Sequence, residues 1–245
     1  MQGMIFAAGL GTRLRPLTDN APKAMVKLLG TPLIEYVINK MSEHGIAKIV
    51  INTHHKAEQI EEFVKSYDNI VISNEKEQLL DTGGAVLNAR DLFTPGEDIL
   101  IHNVDIYTNL NLGRLIKYHE SNNNYATLVV RESVEGRCLR FNNRGVLKGW
   151  ENSVTNEKKI VDEDFYYSKR YSYCGIMILS SAFINNILLQ GKFSIIDELL
   201  LQAAKNPIKM FKYDDFFVDL GTPEAILNTE NILKEKKEKI NNIDF

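Results

Sequence analysis

The chain has 245 residues, with 29 Lys and Arg against 32 Asp and Glu, for a formal net charge of −3. Its 44% hydrophobic and 25% charged residues are ordinary for a globular protein, and the length suffices to bury a core without disulfide or metal staples. The near-neutral balance argues against a general nucleic-acid binder, which carries a basic excess.

Two cysteines, Cys138 and Cys174, are too few for a four-ligand zinc cluster or a secreted disulfide framework, so reduced thiols are expected. The N-terminal segment reaches glycine at Gly9, too early for a signal-peptide core. No apolar run approaches the roughly 20 residues that span a bilayer. The expectation is a cytoplasmic protein with neither nucleic acid nor membrane as partner.

Ile5-Phe6-Ala7-Ala8 reads as a buried strand entering a loop. Thr31-Pro32 starts a helix with Leu33, Ile34, Val37, Ile38 and Met41 on one face, and Gly45 closes it. Residues 48–52 read as strand. Residues 56–65 read as a helix that turns Ile60, Phe63 and Val64 inward, and 70–72 as strand. Residues 82–90 open on glycines and become helical; a strand over 98–102 leads to a helix ending near His119. This alternation predicts a parallel sheet with helices on both faces.

The pattern then changes. Residues 125–130 are a strand, and 139–141 and 146–150 flank a hairpin turn at Asn143-Arg144-Gly145. Residues 152–170 are polar without a period and read as an exposed loop. Residues 173–179 are a strand, 181–189 a helix, and 194–204 a helix opened by Ser194 and Asp197 as a capping box. Short strands over 208–213 and 216–218 precede a last helix from Thr222-Pro223-Glu224, whose Lys/Glu-rich end reads as a solvated face. No internal repeat or linker appears. One continuous domain is expected, with residues 1–120 as its first half and 121–245 as a mixed second half.

The most informative stretch is Ala8-Gly9-Leu10-Gly11-Thr12-Arg13-Leu14-Arg15-Pro16-Leu17-Thr18. Glycine permits positive φ and close approach of a ligand, and successive backbone N–H groups make a cradle for phosphate oxygens. Over residues 9–27, Arg13, Arg15, Lys23 and Lys27 face the single acid Asp19. The segment is not a P-loop, because no Gly-Lys-Ser/Thr ends it. It is a poor dinucleotide fingerprint, because Leu14 takes the third glycine position. A tight strand-to-loop turn with incidental basic residues is the bland alternative; the density of cations favours anion binding.

This loop, followed by Pro22-Lys23, resembles the signature of the sugar-1-phosphate nucleotidyltransferases, or nucleoside-diphosphate-sugar pyrophosphorylases. The resemblance runs from Met4 to about Glu230. It implies a Rossmann-like α/β fold with a mixed, mostly parallel sheet, a nucleotide-binding first half and a second half that binds sugar and completes a metal site. It also implies a nucleoside triphosphate bound by Ala8, Gly9, Gly11, Thr12, Arg13 and Lys23. Arg13 and Lys23 would act catalytically, neutralising phosphate charge during attack on the α-phosphorus. Asp105, in His102-Asn103-Val104-Asp105, and Asp219, in Asp219-Leu220-Gly221-Thr222-Pro223, match the two metal-binding aspartates, implying Mg²⁺. Asn103 matches a nucleotide-side position, with Val104 where the family has glycine.

Leu79-Leu80-Asp81-Thr82-Gly83-Gly84 resembles the base-reading loop, with Thr82 and Gly83 as candidates and Asp81 in place of the usual glycine. A glycine-rich helix start that only packs on the sheet is the competing reading. Of the sugar-side Glu-Lys-Pro pattern, Trp150-Glu151-Asn152 keeps only Glu151, and Gly175 sits where glycine lets the sugar approach. His54, His55, His102 and His119 have no ligand spacing, and His102 reads as a core histidine. The compact length and Leu-Asp-Thr-Gly-Gly loop look most like N-acetylmuramate 1-phosphate uridylyltransferases, using UTP and a sugar 1-phosphate. Mannose- or heptose-1-phosphate guanylyltransferases come next, then phosphocholine cytidylyltransferase. A non-catalytic regulatory subunit is the alternative of another class. A monomer or small homo-oligomer is expected, without a fused hexapeptide-repeat acetyltransferase.

Overall fold

The structure is a computed structural model and describes residues 1–133 and 135–241. In chain order the first half comprises β1 (Gln2–Phe6), β2 (Lys27–Leu28), β3 (Thr31–Pro32), α1 (Leu33–Glu43), β4 (Ile49–Thr53), α2 (Ala57–Val64), β5 (Ile70–Asn74), α3 (Asp81–Asn88), β6 (Ile99–Asn103), β7 (Ile106–Thr108) and α4 (Leu112–Ser121). The second half comprises β8 (Ala126–Glu132), β9 (Arg137–Phe141), β10 (Leu147–Asn152), β11 (Glu157–Ile160), β12 (Lys169–Leu179), α5 (Ser181–Asn185), α6 (Ile195–Ala203), β13 (Ile208–Lys212), β14 (Phe217–Asp219) and α7 (Pro223–Asn241).

The apolar runs of β1, β4, β5 and β6 make a parallel core in the order β5-β4-β1-β6. From β1 the chain winds outward through β4 and β5, then returns to the other side of β1 as β6. That reversal opens a crevice beyond the carboxyl ends of β1 and β6, where ligands bind in open α/β sheets. Helices cover both faces, as the alternation predicts. The buried stripes of α1, α2, α4 and α7 join one core cluster, and those of α3, α5 and α6 join the other.

Antiparallel strands extend the sheet past β6. β12 pairs with β6 through Ile176–Leu179, and its N-terminal part runs on beyond the end of β6 to pair with β9 and β8. The register slips between Tyr173 and Met177, around Gly175 at φ +71°. Such a bulge re-aims side chains where a strand passes a site.

Several boundaries differ from the sequence reading. The first strand is Gln2–Phe6 rather than Ile5–Ala8, so Ala7 and Ala8 already belong to the loop. The expected loop over 152–170 contains β11 and a 3-10 turn at Glu163–Tyr167. β11 is an edge strand with all four side chains exposed, so it lacks a one-faced apolar period. β12 begins four residues earlier than expected, and the helix after it ends at Asn185. Ser194 caps α6 through Ile196 N, whereas the Asp197 carboxylate turns to Lys159 instead of closing a capping box. The 143–145 turn holds, with Gly145 at φ +67° and Asn142 Oδ1 accepting from Arg144 N and Val146 N. The solvated end of α7 is met by exposed Lys234, Glu235 and Lys236; its side chains from residue 237 lie outside the described residues. Among the described residues no helix is long and apolar enough to cross a membrane.

Candidate active site

The glycine loop leaves β1 at the crevice. Ala8 is buried, whereas Gly9 and Thr12 are exposed. Gly11 adopts φ +64° and opens a 3-10 turn, Thr12–Leu14. A Cβ at Gly11 would lie 2.9 Å from Thr18 Cγ2 and 3.1 Å from Lys23 Cβ, so glycine is required there for space as well as for φ. Fully buried Leu14 pins the loop to the core. The Thr18 hydroxyl donates to Gly11 O at 2.8 Å, and Lys56 Nζ donates to Thr18 O and Asp19 O. The loop is therefore held by side chains, one of its own and one from the start of α2, before any ligand arrives.

Asp105 and Asp219 come from distant parts of the chain and meet beside this loop. β14 pairs antiparallel with β7, placing Asp219 opposite Ile106, and Leu220 N donates to Asp105 O at 2.8 Å. Each aspartate faces a signature cation. Lys23 Nζ donates to Asp105 Oδ2 in a close pair with little exposure, and Arg13 Nη2 lies 3.6 Å from Asp219 Oδ2 on an open surface. Gly221 completes the second pair. Its N–H donates to Asp219 Oδ1 at 2.8 Å, and a Cβ there would come within 2.6 Å of Arg13 Nη2. The sequence reading gave Gly221 no role, although it lies inside the Asp-x-Gly-Thr-Pro motif.

Among the described residues no three His, Cys, Asp or Glu side chains gather into a metal cage. Two adjacent carboxylates still fit the chemistry of Mg²⁺, which takes one or two carboxylates and fills its octahedron with phosphate oxygens and water.

The 80–84 loop is tied to the glycine loop through the interior. Ala7 N donates to Asn52 Oδ1 (2.7 Å), Asn52 Nδ2 to Glu75 Oε1 (2.7 Å), and Leu80 N to Glu75 Oε2 (2.8 Å). Asn52 and Glu75 are both buried, so this bridge fixes the two loops relative to one another. No sequence pattern pointed to it. Asp81 adopts φ +59°, the left-handed conformation that glycine gives most easily and that Asp tolerates. The backbone shape thus survives the loss of glycine. Val104 does not adopt positive φ; its N–H donates to Phe6 O at 3.2 Å. Thr82 and Gly83 are engaged by the fold: the Thr82 hydroxyl accepts from Ile195 N (3.0 Å), and Gly83 N donates to Phe193 O (2.9 Å). These contacts agree with the packing alternative for that segment.

On the sugar side, Gly175 lies against Asn103. A Cβ there would fall 3.0 Å from Asn103 Nδ2 and 2.7 Å from Ile106 Cγ1. The buried Oδ1 of Asn103 has no hydrogen-bond partner in the structure, and Asn103 and Ile106 fill the space a Cβ at Gly175 would take. Glu151 departs from its expected place. It is 4% exposed, and its Oε1 accepts from Arg140 and Arg170. Burial alone would raise its pKa, but the Arg170 hydrogen bond and the Arg140 charge outweigh that and hold the carboxyl below the usual range. Glu151 thus organises two arginines rather than standing open to sugar hydroxyls.

His102 is wholly buried, with Nδ1 on Asn103 O at 2.7 Å, and burial lowers its pKa to about 4. It is a neutral core histidine, as expected, though Nε2 has no partner. Both thiols are free and buried, and burial pushes Cys174 up to about 12.

The fold and this crevice define an α/β protein with a mixed, mostly parallel sheet, and comparison with known proteins gives the class. The profile of the nucleotidyl transferase family matches residues 2–137, more than half of the chain, so the chain belongs to that family. Its relatives are sugar-1-phosphate nucleotidyltransferases. It is 25% identical over 93% of its length to the mannose-1-phosphate guanyltransferase of Hypocrea jecorina, and spans 63% of that protein. It is 27% identical over 91% of its length to the D-glycero-alpha-D-manno-heptose 1-phosphate guanylyltransferase of Campylobacter jejuni, covering 96% of it. The N-acetylmuramate alpha-1-phosphate uridylyltransferase of Caulobacter vibrioides is 36% identical over 108 residues, 42% of this chain and 44% of that protein. In structure it resembles HddC from Yersinia pseudotuberculosis complexed with GMP-PN, with TM-score 0.74 and 22% identity, covering 95% of this chain and 99% of that one.

Proposed function

We propose that the protein is a Mg²⁺-dependent sugar-1-phosphate nucleotidyltransferase that condenses UTP with N-acetylmuramate 1-phosphate or a related sugar 1-phosphate, releasing pyrophosphate. The observation that carries this is the convergence of Lys23–Asp105 and Arg13–Asp219 at the crevice beyond β1 and β6. A phosphate oxygen of the sugar 1-phosphate forms a bond to the α-phosphorus as the bond to the β-phosphate oxygen breaks. The acceptor phosphate is already ionised, so no general base or covalent enzyme intermediate is needed. In such transfers positioning and charge neutralisation dominate.

Arg13 and Lys23 exchange their aspartate partners for the oxygens of the triphosphate, while the N–H groups of the Gly9–Thr12 loop orient it. Asp105 and Asp219 would then be the residues to hold Mg²⁺. When bound, the ion supplies positive charge to the phosphate oxygens. Ala8 and Asn103 border the nucleotide, Thr82 and Gly83 shape the base side through backbone, and Gly175 with Glu151 shapes the sugar side. Retention of all four charged signature residues favours an enzyme over a regulatory subunit.

Guanylyl transfer to a mannose or heptose 1-phosphate is the second reading, favoured by the guanylyltransferase relatives that align along most of the chain. The test is pyrophosphate release across UTP, GTP, CTP and dTTP with a panel of sugar 1-phosphates and Mg²⁺. Turnover highest with UTP and N-acetylmuramate 1-phosphate is expected. Turnover confined to GTP establishes the second reading, and no release from folded protein with any pair refutes both.

A further inference from the structure

Resting on the transfer reading above, we propose that the acceptor sugar carries a second negative group, a carboxylate, received by Arg131 in a cationic groove of the antiparallel half. The groove is open, about 850 Å³, and Arg131, Arg140, Lys169, Arg170 and Ser172 are among its lining residues. Glu151, beneath it, takes hydrogen bonds from Arg140 and Arg170 and so fixes both guanidinium groups. Glu132, at the rim, pairs with Lys212 at 2.9 Å. Arg131 makes no ion pair among the described residues; its guanidinium lies 5.7 Å from the centroid of the Phe217 ring. A guanidinium braced on an aromatic ring and left without a carboxylate presents its donors to an incoming anion.

Position brings Arg131 close to the strand that carries Asp219. Arg131 stands opposite Ser172 in the β8–β12 ladder, on the part of β12 that runs beyond the end of β6. By strand alternation it shares a sheet face with Val129. Val129 belongs to the core cluster that also holds Leu14 of the glycine loop and Leu220 next to Asp219. Phe217, beneath the guanidinium, lies on the strand that ends at Asp219.

The spacing is consistent with a second anion on the acceptor. At about 3.3 Å rise per residue, Ser172 lies roughly 10 Å along β12 from Gly175, where the sugar would approach, and Arg170 roughly 16 Å. On the transfer reading Arg13 and Lys23 serve the reacting phosphate, so Arg131 is left for a second anionic group on the acceptor. A sugar without charge would leave the Arg131 guanidinium without an anionic partner among the described residues.

The test uses matched acceptors that differ by one carboxylate: N-acetylmuramate against N-acetylglucosamine 1-phosphate, and glucuronate against glucose 1-phosphate. The readout is the ratio of kcat/KM within each pair, for wild type, Arg131→Met and Arg131→Lys. A wild-type ratio of about ten or more for the carboxylated member of at least one pair is expected, that being the worth of one charge-assisted contact. It should collapse toward one in Arg131→Met and recover in part in Arg131→Lys. Equal use of both members by wild type overturns the proposal. So does an Arg131→Met enzyme that loses activity while keeping the ratio, because the groove would then serve the 1-phosphate itself. If no pair turns over, the transfer reading fails, and calorimetric binding of the same acceptors with a non-hydrolysable UTP analogue still decides the groove. Tighter binding of a carboxylated member, lost in Arg131→Met, supports it; equal or absent binding of both members overturns it.

Discussion

Lys23 and Arg13 reach their carboxylates from short turns between β1 and β2, with no ladder to fix the spacing. Arg140 and Arg170 reach theirs from adjacent strands whose ladder fixes the spacing. The first arrangement joins segments far apart in sequence and can exchange partners when a polyanion arrives. The second is a rigid cationic wall. On the proposed reading the difference separates chemistry from selection: Arg13 and Lys23, which trade partners, sit on turns, and the arginines that shape the groove sit on strands.

Substitutions can break that contrast by striking turnover in one region and stability in the other. The largest effect is expected at the loop edge. Asp105→Ala should lower kcat at least about 1000-fold, the scale of losing a main charge-stabilising group, while circular dichroism and a cooperative melt persist. Turnover near wild type would remove Asp105 from the site.

Next comes the strand-held histidine. His102 has a folded pKa of about 4 against 6.5 for an ordinary imidazole. Between those values the unfolded chain binds a proton and the folded chain does not. Stability should therefore fall as pH drops from 6.5 to 4, by roughly 3 kcal/mol. Urea melts across this range measure the slope, and His102→Gln should flatten it.

Glu151→Gln should cost about 2 kcal/mol of stability. Removing a buried carboxylate strands its arginines, and the partial exposure of Arg170 moderates the loss. The melting temperature reports it, and a change in kcat larger than the change in stability would instead place Glu151 among the reacting groups. Gly221→Ala forces a methyl between Arg13 and Asp219 and should lower kcat/KM about ten-fold with little change in melting. The smallest change belongs to Asp81→Gly. Relief of the left-handed strain, about 1 kcal/mol, is offset by loss of the bond from Thr82 N to Asp81 Oδ1, so the melting temperature should barely move.

Much of the first half was legible because its signals are local. Continuous apolar runs gave the parallel strands, the stripe from Leu33 to Met41 gave α1, and the glycine loop lies contiguous in sequence. The second half hides its order in long-range pairing. β11 has no buried face, and β7 and β14 are too short to carry a period and exist because each pairs with the other. Glu151 is a sugar-side candidate by resemblance alone, and nothing nearby in sequence announces Arg140 and Arg170 as its partners. Asn52 and Glu75 join two loops only after β4 and β5 pair. Arg131 stands opposite Ser172 across a ladder, two residues along β12 from Arg170. Side chains placed by one element were readable; those placed by the meeting of several were not.

The central claim is that the loop-edge cations and aspartates serve transfer of a nucleotidyl group to a sugar phosphate. The most direct measurement follows separate α-³²P and γ-³²P labels on the accepted nucleoside triphosphate, with its sugar 1-phosphate and Mg²⁺. The account predicts that the α label enters the nucleoside-diphosphate sugar and the γ label leaves in pyrophosphate. A γ label appearing on the sugar, or released as inorganic phosphate beside a nucleoside diphosphate, would contradict it.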